Sequence, residues 1–77
     1  MVQAYILIQT RPGTGPGVTK EVSEVKGVDS AVEVTGPYDV IARAEAPSLD
    51  ELSKQVVGSI EALAGVTRTL TCPVIHL

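Results

Sequence analysis

The stretch Val28-Asp29-Ser30-Ala31-Val32-Glu33-Val34-Thr35-Gly36-Pro37-Tyr38-Asp39-Val40-Ile41-Ala42-Arg43-Ala44-Glu45-Ala46 decides the architecture of this 77-residue chain. Two runs, Val28 to Val34 and Val40 to Ala46, alternate in the period-two manner of strands that bury one face, and a short turn joins them. Gly36 can take a positive φ, Pro37 pre-sets φ near about −65°, and the Asp39 side chain can bond neighbouring backbone. The segment reads as an antiparallel hairpin. Tyr38 is not a turn former, so a phenol at the tip asks for a packing partner or a ligand.

On the N-terminal side, Val2 to Thr10 alternates as well, with Ala4, Ile6 and Ile8 on one face and Tyr5 and Leu7 on the other. Two prolines and three glycines in Arg11-Pro12-Gly13-Thr14-Gly15-Pro16-Gly17 stop that strand, and the stretch reads as a flexible connection. It lacks the Gly-Lys-Ser/Thr ending of a phosphate-binding loop, and Pro16 removes an N–H that such a cradle uses. Val18, Val22 and Val25 then recur at helical spacing until Lys26-Gly27. On the C-terminal side of the hairpin, Ser48 and Glu51 form a capping box, and Leu49, Leu52, Val56, Ile60 and Leu63 lay one apolar stripe along a second helix that Gly65 ends. Val66 to Cys72 is a last alternating strand, and Pro73 interrupts pairing along one edge.

The order β-α-β-β-α-β is the ferredoxin-like split motif, an α+β fold with an antiparallel four-stranded sheet and two helices on one face. Right-handed crossovers put the first and third strands in the middle. The helices cover one face only. Simple alternation assigns Tyr5, Leu7, Ile41, Thr67, Thr69 and Thr71 to the other, with Arg43 and Glu33 as its charged members and as a cross-strand ion pair. Arg68 then falls among Val66, Leu70 and Cys72, so either it lies at the sheet border or the register of the last strand departs from simple alternation. A half-apolar open face on a small domain meets another sheet. The expectation is a homodimer through the open faces, a dimeric α/β-barrel arrangement with Tyr5, Leu7, Ile41, Arg43 and Thr67 in the interface.

Bulk properties narrow the function. The chain is 44% hydrophobic yet has no Trp or Phe, and its formal charge is −3 with six scattered cations. Direct nucleic-acid binding needs a basic patch or stacking aromatics, and neither is present. One cysteine, Cys72, points to a reducing, cytoplasmic setting. No apolar run approaches the roughly 20 residues of a membrane span, and no signal peptide is visible. Cys72 and His76 lack the further ligands of a metal site and the fixed geometry of a nucleophile and base. No cofactor and no enzymatic activity are expected.

The Gly36-Pro37-Tyr38-Asp39 turn, together with Gly65-Val66-Thr67-Arg68-Thr69-Leu70-Thr71, resembles the effector-binding (RAM) domain of the leucine-responsive regulatory protein (Lrp)/AsnC family, and the resemblance covers nearly the whole chain, residues 1–77, as a single domain. It implies dimers paired through their sheets, further assembly into higher oligomers, and an amino acid or related metabolite held between dimers. Carried over by position, the ligand-binding residues are Gly36, Tyr38, Asp39, Thr69 and Thr71. The family normally carries an N-terminal DNA-binding helix-turn-helix; this sequence starts directly on the first strand and looks like a version without one. The alternative is a ligand-free oligomerisation module that associates with full-length regulators of the family.

Overall fold

A computed structural model of the chain describes residues 1–75. Its elements follow the expected order: β1 (Val2–Thr10), α1 (Gly15–Ser23), β2 (Val28–Glu33), β3 (Val40–Ala46), a second helix α2, and β4 (Val66–Pro73). The α2 helix runs through three consecutive segments, α-helical Leu49–Glu51, π-helical Leu52–Val57 and α-helical Gly58–Glu61. The sheet is antiparallel in the order β2-β3-β1-β4, so the first and third strands are central.

The core lies between the helices and one sheet face. Ala4, Ile6 and Ile8 of β1 and Val40, Ala42, Ala44 and Ala46 of β3 are buried against Val18 and Val22 of α1 and Leu52, Val56, Val57 and Ile60 of α2. Small alanines in β3 let the helices approach the sheet closely, and the larger β1 side chains fill the space between them. Ser48 caps α2, its Oγ accepting the Glu51 N–H at 3.2 Å. Leu49, expected on the buried stripe, is instead 51% exposed in the first turn.

The stretch expected to be a flexible connection is partly helical. Gly15, Pro16 and Gly17 form the first turn of α1, where a missing proline N–H costs nothing because it has no intrahelical partner. Val25 follows the helix and still packs against the core.

The larger departure concerns the edge strands. The β2 register shifts between Val28, opposite Ala44, and Ser30, opposite Arg43, leaving Asp29 as an extra residue. Likewise Gln9 faces Arg68 and Thr10 faces Val66, leaving Thr67 extra in β4. A bulge of one residue inverts the side-chain alternation beyond it. Residues paired directly across strands share a face, so Glu33 joins Val40 on the helix side, and Thr69 and Thr71 join Ile8 and Ile6 there. The Thr69 hydroxyl donates to Glu61 Oε2 of α2 at 3.1 Å, which only the helix side permits. Thr67 is exposed at the bulge and donates to the Gln9 carbonyl at 3.2 Å. The expected open-face positions of Glu33, Thr69 and Thr71 are therefore corrected, and of the two readings of Arg68 the changed register holds: Arg68, Leu70 and Cys72 lie on the open face. The Glu33–Arg43 ion pair does not form, because the bulge puts the two residues on opposite faces; among the described residues the ion pair is Lys54–Asp50.

Candidate functional site

Three side-chain arrangements on this scaffold bear on function. The first is the Gly36–Asp39 turn, which is tied to the end of β1 from several directions. Gly36 takes φ +133°, a conformation that an L side chain rarely adopts. The Asp39 N–H donates to the Ile8 carbonyl at 2.9 Å, its carbonyl accepts the Val34 N–H at 2.8 Å, and Oδ2 accepts the Thr10 N–H at 2.8 Å. Gln9 Nε2 donates to the Pro37 carbonyl at 2.9 Å. Tyr38 and Asp39 are half-buried.

The second arrangement is a cleft of about 370 Å³ beside this turn. Asp39 and Glu33 line it with Thr10 and Arg11, and the Arg11-to-Pro16 segment forms its other wall. Glu33 reaches it because the β2 bulge turns it to the helix side, where its carboxylate packs on buried Gly15. The charged residues that line it, Asp39, Glu33 and Arg11, are of both signs, which suits a molecule that carries both an ammonium and a carboxylate. Of the anticipated ligand residues only Asp39 lines this cleft; Gly36 and Tyr38 belong to the adjoining turn. Thr69 and Thr71 are separated from the turn by β1, since β3 and β4 flank that strand on opposite sides. Arg11 and Glu33 were not anticipated: Arg11 stood in a stretch read as a flexible connection, and Glu33 was assigned to the wrong face.

The third is the open sheet face. The registers Val32–Ile41, Ile41–Leu7 and Leu7–Leu70 align one apolar side chain from every strand into a continuous row across the sheet. A second row, Ser30–Arg43–Tyr5–Cys72, runs beside it. Val32 is 54%, Tyr5 46% and Leu70 45% exposed. Tyr5, Leu7, Ile41 and Arg43 thus stand where alternation put them, and the bulges add Val32 and Leu70.

The family model of the Lrp/AsnC ligand binding domain matches residues 3–76. The chain belongs to the Lrp/AsnC family. A crystal structure of a protein from Thermus thermophilus superposes on this Lrp/AsnC domain with a TM-score of 0.90 at 31% identity, covering 100% of this chain and 96% of that one. A transcriptional regulator from Neisseria meningitidis, solved as a complex with L-Met, shares the fold at a TM-score of 0.83 and 21% identity, covering 97% of this chain and 50% of that one. Among curated proteins, a homocitrate synthase from Sulfurisphaera tokodaii is 39% identical over 54 residues, which is 70% of this chain and 12% of the synthase. The chain thus spans about an eighth of the curated relatives it matches. Within the described residues no helix is long and apolar enough to cross a membrane. The Cys72–His76 reading lies partly outside the described residues, because His76 is beyond them.

Proposed function

We propose that this Lrp/AsnC domain is a homo-oligomeric regulatory module, not an enzyme, that binds an amino acid or a closely related metabolite between dimers at the Gly36–Asp39 turn. The observation that carries the reading is the dipolar cleft beside Asp39 in a domain of a ligand-binding family. Asp39 and Glu33 receive the α-ammonium, Arg11 holds the α-carboxylate, and Gly36 and Tyr38 cover the side chain. Thr69 and Thr71 stand across β1 from this turn, so they reach the ligand from a neighbouring protomer, which is why the site is complete only between dimers. The dimer itself forms through Tyr5, Leu7, Ile41, Arg43 and Thr67 of the open faces, with Val32 and Leu70 extending the apolar row. A row of exposed aliphatic side chains on one sheet face is stabilised by burial against a second such face.

Because a ligand bound across two dimers favours the assembly that forms its site, binding and association are linked. A thermal-shift panel of the twenty amino acids, read with native mass spectrometry, tests this. One amino acid, or a chemically related few, is expected to raise the melting temperature and increase the assembled mass. A panel in which none does either overturns the reading.

A second reading is favoured by the synthase match. A domain of this kind forms part of an enzyme chain in the homocitrate synthases, so the present domain acts by docking on a partner protein, a full-length family regulator or a biosynthetic enzyme, instead of on DNA. Under that reading the panel is silent and the protein co-elutes with its partner.

A further inference from the structure

We infer that the open sheet face is self-complementary about a line between β1 and β3, so that a second copy of this chain docks with its strands aligned and Arg43 of each protomer stacks on Tyr5 of the partner subunit. This pairing rests on the dimer of the proposed function and adds to it the direction of the two-fold axis and the residue pair that selects it.

The strand registers set the open-face side chains on a grid. The apolar row Val32–Ile41–Leu7–Leu70 and the row Ser30–Arg43–Tyr5–Cys72 each take one residue from every strand. Next along the two central strands come Gln3 and Glu45, joined by a hydrogen bond from Gln3 Nε2 to Glu45 Oε1 at 2.8 Å. Gln9 and Arg68 lie on the other side of the apolar row. Two sheets stacked face to face are related by a two-fold axis parallel to both, and the patch then meets its own image. Aligned packing, with strands crossing at about 30°, leaves two directions for that axis, along the strands or across them.

In the order β2-β3-β1-β4 the middle of the sheet falls between β3 and β1. An axis along the strands at that line exchanges β1 with β3 and β2 with β4, so every row lies on its own image. Leu7 then meets Ile41 of the partner subunit, Leu70 meets Val32 of the partner subunit, and aliphatic side chains are buried on aliphatic side chains. Arg43 meets Tyr5 of the partner subunit, twice by symmetry. An axis across the strands, on the apolar row, opposes Tyr5 to Gln9 and Cys72 to Arg68, and it leaves Gln3 and Glu45 overhanging the end of β1. The chemistry favours the first axis. Among the described residues Arg43 makes no ion pair, so its guanidinium depends on what the docked copy offers when water leaves the face. A planar guanidinium stacks on a tyrosine ring, and that attraction strengthens on desolvation. The crossing of about 30° moves side chains near the middle of the sheet by less than the ~4.8 Å between strands, so the pair survives the twist.

Mixtures of charge variants of the intact chain test the axis. Tyr5→Lys opposes two cations at each Arg43 contact and Arg43→Glu removes the stacked cation, so each alone is expected to weaken the dimer about tenfold or more in sedimentation equilibrium. Mixed in equal amounts, the two variants form a dimer in which the introduced lysine meets the introduced glutamate and the second Arg43–Tyr5 contact is native. Native mass spectrometry is expected to show this mixed mass as the dominant dimer, well above the half that random pairing gives. Leu7→Lys mixed with Ile41→Glu gives the same enrichment by the same axis and keeps the test open if Tyr5→Lys fails to fold. Enrichment only for Tyr5→Lys with Gln9→Glu, or only for Leu7→Lys with Leu7→Glu, assigns the axis across the strands and overturns this inference while the dimer of the proposed function stands. Random pairing in every mixture overturns it as well. A monomeric wild type removes that dimer and this pairing together.

Discussion

Asp39 does two things at once, and single substitutions separate them. One carboxylate oxygen accepts the Thr10 N–H at the end of β1, a half-buried bond to a charged acceptor, and the same group faces the cleft shared with Glu33 and Arg11. Asp39→Ala leaves that N–H without its partner and is expected to cost about 1–3 kcal/mol, read as a fall in melting temperature of several degrees. Asp39→Asn keeps an oxygen for Thr10 and removes the charge, so it melts close to wild type. Both variants are expected to lose binding of whichever amino acid stabilises the parent, as measured by calorimetric titration. An Asp39→Asn protein that binds normally would show that the carboxylate serves the turn and not the ligand. The cleft itself was only partly legible at this scale. Asp39 is marked by its turn, but Glu33 and Arg11 join it only when three separate segments come together.

Secondary-structure elements show where local signals suffice. The α2 cap was readable because Ser48 and Glu51 are three residues apart and need no other part of the chain; Ser48→Ala is expected to cost about 1 kcal/mol, measured by chemical denaturation. The π-helical turn was not readable, since it reflects how Val56 and Val57 both fit beneath the sheet. The edge strands were misassigned for a related reason. A bulge consumes one residue, and whether it forms depends on what the neighbouring strand offers, not on the residues inside it. Its consequence can be tested by deletion. Removing Thr67 makes Val66 and Arg68 adjacent, which is the alternation that the Thr10–Val66 and Gln9–Arg68 pairs already require. That deletion is therefore expected to leave a cooperatively folding protein. Removing Thr69 forces one half of β4 to present the opposite face and is expected to abolish the cooperative thermal transition seen by circular dichroism. The reverse outcome would mean that the β4 register is different.

For the whole molecule, adjacent residues of β1 have opposite meanings. Ile6 is fully buried under the helices, whereas Leu7 belongs to the row that crosses the open face. Ile6→Ala is expected to cost about 2–5 kcal/mol, a large part of the stability of a domain this small. Leu7→Glu with Leu70→Glu introduces four charges into a face-to-face dimer and none into the core. It is expected to give a folded protein of monomeric mass by light scattering, with its far-ultraviolet spectrum unchanged. A wild type that is already monomeric at micromolar concentration would remove the basis for pairing.

Residue order alone determined the sequence of strands and helices, the hairpin, the capped start of α2 and the buried faces of β1 and β3, because each follows from spacing within a few consecutive residues. Membership of the Lrp/AsnC family was visible for the same reason, in two short contiguous motifs. Tertiary structure decided which way Glu33, Arg68, Leu70 and the threonines of β4 point, how Glu33 and Arg11 meet Asp39, and where the apolar row of the open face runs. Those outcomes depend on hydrogen bonds between strands distant in sequence, and one unpaired residue in either edge strand is enough to turn every side chain beyond it to the other face.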